Sequence, residues 1–311
     1  MTFFFYGPNS YALRAQLGQM IGAYLKKAGS DFGLDRLDGS QMKARDLLAA
    51  LQASPFLASS RLVIIEGLAA NKVAADQIPK LLAGVPASTV AVFVEREIDQ
   101  RTTAFKKLLT ADKVMKFEPL PTSQLIAWSK QQATTLGGDV ERPALQELID
   151  LVGPDQWRLE GEINKLVNYD ATITVDTVRK MVVPSVEHTI FDLVEAMSAG
   201  RAAAALASYH QLLKQKESEI GILVMIQWQL RNLLLAKTAP AMSPADLAKT
   251  AGMSPYVAGK MAGAAKRLEL GMVKNAYAAS ADCEYYIKSG RIKAETAVEQ
   301  LIYRVAAAAQ P

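Results

Sequence analysis

The sequence predicts an α/β domain built on a parallel sheet, followed by two all-α domains. Three observations carry that expectation. Up to about residue 120, short apolar strand-like runs alternate with helical patterns, the order that builds a parallel layer. Two of these runs, "RLVIIEG" and "TVAVFVE", are apolar without alternation, as suits strands covered on both faces. After "FEPLP" the periodic segments have essentially helical spacing.

In chain order, "FFFYG" is an apolar strand, and "SYALRAQLGQMIGAYLKKAG" has helical spacing with Lys26 and Lys27 near its end and Gly29 after it. "FGLDRLDG" reads as a short strand and turn. "SQMKARDLLAALQAS" reads as an amphipathic helix opened by a serine cap. Short helices are expected at "QIPKLLAGVP" and "TAFKKLLTAD". From Thr122 come "SQLIAWSKQQATTLG", "ERPALQELIDLVG", "DQWRLEGEINKLVNYD" and "TVDTVRKMV", punctuated by Gly137-Gly138 and Gly153-Pro154. Pro184 marks a second boundary, and the remainder is again helical. The domains are expected at 1–120, 121–184 and 185–311.

With 311 residues, half of them hydrophobic and 21% charged, the chain is globular and can bury real cores. A single cysteine, Cys283, excludes an internal disulfide framework and a cysteine metal cluster. Apolar runs fall short of a membrane span, and the N-terminus lacks the basic leader of a signal peptide, so a cytoplasmic protein is expected. The net charge of +4 divides into +4 over 1–120, −3 over 121–184 and +3 over 185–311. Such excesses permit phosphate contact without requiring it.

Catalytic patterns are sparse. "FFFYGPNSYALRAQL" places a strand, a Gly-Pro turn and a helix where a P-loop would stand. The turn has no second glycine and no lysine before Arg14, so the phosphate cradle is missing. The strand "VAVFV" leads into Glu95-Arg96-Glu97 rather than a paired Asp-Glu that would hold magnesium. His188 and His210 lack ligand spacing and read as structural histidines, and Cys283 as a small core residue. No catalytic, metal or cofactor-binding residue is expected.

One stretch does point to a function. In "QASPFLASSRLVII" a helix ends near Ala53-Ser54, Pro55 forbids its continuation, and a strand starts near Arg61. Phe56 and Leu57 therefore fall on a loop, where two adjacent large apolar side chains do not both point into one core. Either one plugs the domain while the other is partly covered, or the pair is an exposed plug for a partner's pocket. Burying both in a partner would contribute about 3–6 kcal/mol. The segment "SPADLAKTAGMSPYVAGKMAG" has a helix-turn-helix outline in which Lys260, Lys266 and Arg267 could meet phosphates, although a helical hairpin within a bundle gives the same pattern. The stripe Trp228, Leu230, Leu233 and Leu234 reads as bundle core.

Taken together, several of these segments resemble the delta subunit family of the bacterial DNA polymerase III clamp loader. The resemblance runs the length of the chain. It is clearest at Ile98-Asp99-Gln100-Arg101, Ile190-Phe191-Asp192-Leu193 and Tyr286-Ile287-Lys288-Ser289-Gly290, with "ASPFLASSRLVIIEG" and "LVGPDQWRLEGEINKLVNY" between. It implies an AAA+-like α/β domain without a functional ATP site, a helical lid and a C-terminal collar. It also implies a non-catalytic subunit of the polymerase holoenzyme that binds and opens the sliding clamp (the beta subunit). The clamp-binding pair would be Phe56 and Leu57, in the reverse of the family's Leu-Phe order. Residues 185–311 would pack against the ATP-binding tau/gamma and delta-prime subunits, with primed DNA held in the assembled loader and no membrane partner. On this reading the 243–263 hairpin is structural. A helix-turn-helix regulator with an α/β sensor domain is the alternative, with a variant P-loop ATPase and a scaffold lacking clamp contact behind it.

Overall fold

The computed structural model describes residues 1–55, 58–253 and 255–309. The chain divides into two compact units, Met1–Pro119 and Leu120–Pro311.

The first unit is a five-stranded parallel sheet between helices. Its elements in order are β1 (Thr2–Tyr6), α1 (Ser10–Ala28), β2 (Leu34–Asp38), α2 (Ala44–Gln52), β3 (Arg61–Glu66), a 3-10 turn (Leu68–Ala70), α3 (Lys72–Ala75), α4 (Ile78–Ala83), β4 (Thr89–Glu95), α5 (Thr103–Leu108) and β5 (Lys113–Lys116). The strand order is β2-β3-β4-β1-β5. β1 lies between β4 and β5, with Phe3 opposite Val92 on one side and Lys113 on the other.

Two-residue alternation sends each strand's side chains to both faces, and both are covered. Phe5, Ile64 and Val92 pack under Leu13 and Leu17 of α1. Phe4, Val63, Ile65 and Phe93 pack under Leu47 and Leu51 of α2, Ile78 and Leu81 of α4, and Phe105 and Leu108 of α5. This is why β3 and β4 read as continuous apolar runs. The expected serine cap of α2 is corrected. Lys43 occupies the cap position and makes no side-chain cap bond, whereas the Ser40 amide donates to the Asp38 carboxylate at 2.9 Å in the preceding turn. A short local bond to Asp38 satisfies Ser40 before the helix begins.

The second unit is mainly helical. It comprises α6 (Thr122–Thr135), β6 (Asp139–Val140), α7 (Arg142–Val152), α8 (Gln156–Tyr169), β7 (Thr172–Ile173), α9 (Val175–Met181), α10 (Val186–Ser198), α11 (Ala202–Lys214), α12 (Glu219–Thr238), α13 (Pro244–Ala251), α14 (Pro255–Arg267), α15 (Leu270–Lys288) and α16 (Ala294–Ala308). Helices do not account for all of it: β6 and β7 form a short parallel pair. Its apolar side chains gather in two cores. One, from Leu125 to Val182, is built on Leu145, Leu148, Ile149, Leu159 and Ile163. The other, from Ile190 to Val305, is built on Leu193, Met197, Tyr209, Ile226, Leu230 and Ile302.

The stripe read as bundle core is partly corrected. Leu230 and Leu233 are buried, but Trp228 is 40% exposed. On α12 it continues a line with Ile220 (54%) and Val224 (55%), four residues apart along one exposed helix face. Cys283 is buried in the second core, and burial pushes its thiol up to about 11, well away from a thiolate nucleophile.

Candidate functional site

Phe56 and Leu57 lie outside the described residues. The chain on both sides of them is described and firmly held. α2 runs to Gln52, and its last turn leaves carbonyls without helical partners. The guanidinium of Arg61, the first residue of β3, donates to the Ala50 carbonyl and, at 2.9 Å, to the Ala53 carbonyl, while its other nitrogen binds the Asp35 carboxylate on β2. On the far side, the Tyr24 hydroxyl of α1 donates to the Ser60 carbonyl at 3.1 Å. Pro55 and Ala58 are half-buried.

The turn after β1 occupies the position of a phosphate-binding loop, and its groups are bonded within the domain. The Gly7 amide donates to the Glu95 main-chain carbonyl at 3.2 Å, the Asn9 amide to Phe117 at 3.1 Å, and the Ser10 amide to Pro8 at 2.9 Å. Pro8 has no amide hydrogen. The Asn9 side chain caps α1, accepting from the Ala12 amide at 3.0 Å, and its amide group donates to the Glu118 carbonyl at 3.0 Å. Gly7 adopts φ +129°, and a β-carbon there would lie 2.2 Å from the Phe117 carbonyl oxygen. The segment after β5 thus lies against the turn where a nucleotide loop would open to its ligand.

A cleft of about 670 Å³ opens at the carboxyl ends of β2, β3 and β4, the edge where parallel sheets place their ligands. Its charged lining is Arg36, Asp38, Glu66, Glu95, Arg96 and Glu97. Four carboxylates against two guanidinium groups make it unfavourable to a polyphosphate. Arg96 is itself committed to Glu66 at 3.2 Å. Glu95 is 4% exposed. Burial pushes its carboxyl up to about 7, only partly offset by the amides of Ala69 and Leu68; the Ala69 amide donates at 2.7 Å. Among the described residues no group of three or more His, Cys, Asp or Glu is placed to hold a metal ion. His188 pairs with Asp192 at 3.1 Å and His210 with Glu299 at 3.3 Å.

Two of the three cations nominated on the α13–α14 hairpin are paired within the fold. Lys260 binds the Asp150 carboxylate at 3.2 Å and Arg267 binds Glu195 at 3.0 Å. Tyr256 packs against the first helical core and donates its hydroxyl to Asp150. Leu247, Ala258 and Met261 are buried in the second core. This hairpin is a packed part of the bundle.

Two anchoring groups, Arg61 and Tyr24, belong to no motif in the sequence: one opens a strand and the other lies within a helix. An arginine directly before a buried β-branched run was the available signal, because a cation there must find acceptors nearby.

The fold is thus a parallel α/β unit with a bonded phosphate-loop position, followed by two helical cores. Over 98% of its length the chain superposes on 95% of the solved Bacillus subtilis DNA clamp loader delta protein, with a TM-score of 0.72 and 20% identity. The family model for the DNA polymerase III delta subunit matches residues 3–118, and that for the C-terminal domain of the same subunit matches residues 187–305. A curated relative, DNA polymerase III subunit delta of Bacillus subtilis (strain 168), is 24% identical over 246 residues, covering 75% of this chain and 71% of that protein. The chain belongs to the DNA polymerase III delta subunit family.

Proposed function

We propose that this chain is the non-ATP-binding subunit of a bacterial DNA polymerase III clamp loader, and that it binds and opens the sliding clamp for loading on primed DNA. The observation that carries this reading is the bonded turn at Gly7–Ser10, on a sheet that otherwise keeps the nucleotide-binding layout. With Gly7 and Asn9 donating to Glu95 and Phe117, the α/β unit is suited to act by contact instead of by hydrolysis. The acidic cleft at the sheet edge supports the same conclusion.

Residues 1–120 act as the clamp-binding domain, 121–184 as the lid and 185–311 as the collar. Phe56 and Leu57 enter an apolar pocket of the clamp when the ATP-binding subunits change shape and expose this domain. The pair contributes about 3–6 kcal/mol of apolar burial. It favours the open ring only to the extent that its contacts differ between open and closed clamp. The tau/gamma and delta-prime subunits pack on the collar, and the exposed line Ile220, Val224 and Trp228 supports that placement. The assembly works in the cytoplasm, and no described helix is long and apolar enough to cross a membrane.

The test is binding of the purified chain to the sliding clamp of its own organism, wild type against Phe56→Ala/Leu57→Ala, with thermal unfolding of both. The expected result is clamp binding by wild type, a loss of about 100-fold or more in the double variant, equivalent to about 3 kcal/mol, and unchanged unfolding. No binding by either protein overturns the clamp-opening reading. Collapse of the variant's fold places the two residues in the core and overturns the site.

A further inference from the structure

We infer that the joint between the two helical cores of the second unit is locked. Tyr256 and Lys260 of α14 clasp the end of α7 at Asp150, and the 182–185 connection is pinned from both sides, so the two cores turn as one body. The inference rests on contacts within one compact unit and is independent of the clamp reading.

Two cores joined by four residues have the makings of a hinge, because a few residues can absorb a change in φ and ψ while both cores stay packed. α9 ends at Met181 and α10 begins at Val186, with Pro184 between them. The structure takes that freedom away. Val182 is buried in the first core, and Val186 packs against the second. The Ser185 amide donates to the Leu151 carbonyl of α7 at 2.8 Å, a bond to the first core. The Pro184 carbonyl accepts from the side-chain amide of Gln215, just after α11, at 3.1 Å, a bond to the second. Ser185 is 2% exposed and also caps α10 by accepting from the His188 amide at 3.1 Å. A swing here would strip buried backbone groups of their partners.

The clasp comes from much further along the chain. α14 belongs to the second core through Ala258 and Met261, yet its Tyr256 ring packs on the first. The Tyr256 hydroxyl donates to the Asp150 carboxylate and, at 3.4 Å, to the Ile149 carbonyl. Four residues on, and so on the same face of α14, Lys260 reaches the Asp150 carboxylate at 3.2 Å and the Asp150 carbonyl at 3.4 Å. The last carbonyls of a helix lack partners within it. Here the residue four places beyond Asp150 is Pro154, which has no amide hydrogen to offer. Lys260 supplies that donor, and Ser185 supplies the one for Leu151. The Lys260 ammonium thus meets the negative end of the α7 dipole.

The second core therefore finishes a helix of the first. Lys260 also lies 5.3 Å from the ring centre of Tyr256 and 5.8 Å from that of Phe191 on α10, and Arg267 ties α14 to α10 through Glu195 at 3.0 Å. α7, α10 and α14 are held at one point. The angle between the cores is set there, and the short connection only follows it.

The experiment measures the distance between nitroxide labels by double electron–electron resonance in the full chain. Labels are placed at Gln131→Cys on α6 and Lys274→Cys on α15, both exposed, with Cys283→Ala to leave only those thiols. Hydrogen exchange of the peptide spanning 182–186 is followed alongside to locate any opening. The expected result is one narrow distance peak for the chain with the clasp intact. Asp150→Ala should at least double its width or add a second peak, with exchange in 182–186 at least tenfold faster and the interior of α12 still protected. Lys260→Met should broaden the peak less. Arg304→Ala, which breaks a pair with Asp282 inside the second core, should leave it unchanged. The distance distribution decides. A broad or double peak with the clasp intact overturns the inference, and so does an unchanged peak in Asp150→Ala. Should Asp150→Ala fail to fold, Lys260→Met replaces it, since it leaves α7 unaltered: broadening supports the inference and an unchanged peak overturns it.

Discussion

Lys260 on α14 stands 3.2 Å from the Asp150 carboxylate on α7, and the same ammonium lies 5.3 Å from the ring centre of Tyr256 and 5.8 Å from that of Phe191. With the Tyr256 hydroxyl on the same carboxylate, these contacts join the two helical cores of the second unit. Burial opposes ionisation of Asp150, but Tyr256, Lys260 and Gln146 outweigh it and hold its pKa below the ordinary carboxylate value. Asp150→Ala strands an ammonium and a phenol and should cost about 1–3 kcal/mol, with Tyr256→Phe costing about 1 kcal/mol. Urea unfolding of the full chain, followed by helical circular dichroism, reads both. Because the folded pKa is depressed, the Asp150 contribution is complete above the unfolded value near 4 and is lost as the pH falls below it. Asp150→Asn should flatten that acid limb.

Glu95 predicts the opposite pH dependence. Its folded pKa of about 7 lies above the ordinary value of 4.5, so the folded chain holds this proton more tightly than the unfolded one. Stability should fall as pH rises from about 4.5 to 7 and level off above it, by up to about 3 kcal/mol. Glu95→Gln keeps an acceptor for the Ala69 amide and removes the titration. Its melting temperature should match wild type near pH 5 and exceed it at pH 8. Parallel curves across that range would contradict the assignment.

At Gly7 two penalties combine. φ of +129° is unfavourable for any L side chain, and the Phe117 carbonyl occupies the space a methyl group would need. Gly7→Ala should destabilise the α/β unit by about 2–4 kcal/mol. Thermal unfolding should show the first unit melting earlier while the helical unit is unchanged.

Trp228→Glu separates packing from assembly. The side chain is 40% exposed, so folding stability should change by less than about 1 kcal/mol. If this face meets the ATP-binding subunits, co-elution with them should weaken at least tenfold in affinity, measured by titration. Undiminished assembly would remove α12 from that interface.

Much of the fold was legible because both sheet faces are buried, which turns β3 and β4 into unbroken apolar runs, and because the helices end in ordinary signals such as Gly29 and Gly252. What escaped had tertiary causes. β5 is Lys-Val-Met-Lys, an edge strand whose identity comes from pairing with β1 and not from its own composition. β6 and β7 are two residues each and leave no period to read. Trp228 has the spacing of a core residue, but composition cannot tell a face turned to the bundle from one turned outward. At the candidate site, the end of α2 before Pro55 was readable, while Phe56 and Leu57 lie outside the described residues. The hold exerted by Arg61 was not readable, since it depends on a carboxylate 26 positions earlier and on helix carbonyls about ten positions away.

The placement of β1 bears on how the chain is made. Its neighbours in the sheet are residues near 92 and near 114, and Thr2 bonds to Asp112 across 110 positions. A ribosome adding about 5–20 residues per second therefore leaves "FFFY" without either partner for several seconds. During that interval an aromatic strand with two open edges is a ready substrate for holding chaperones and for misassembly. A nascent chain halted before residue 89 should remain protease-sensitive in its opening segment. One released beyond about residue 118 should acquire protection there in a single step.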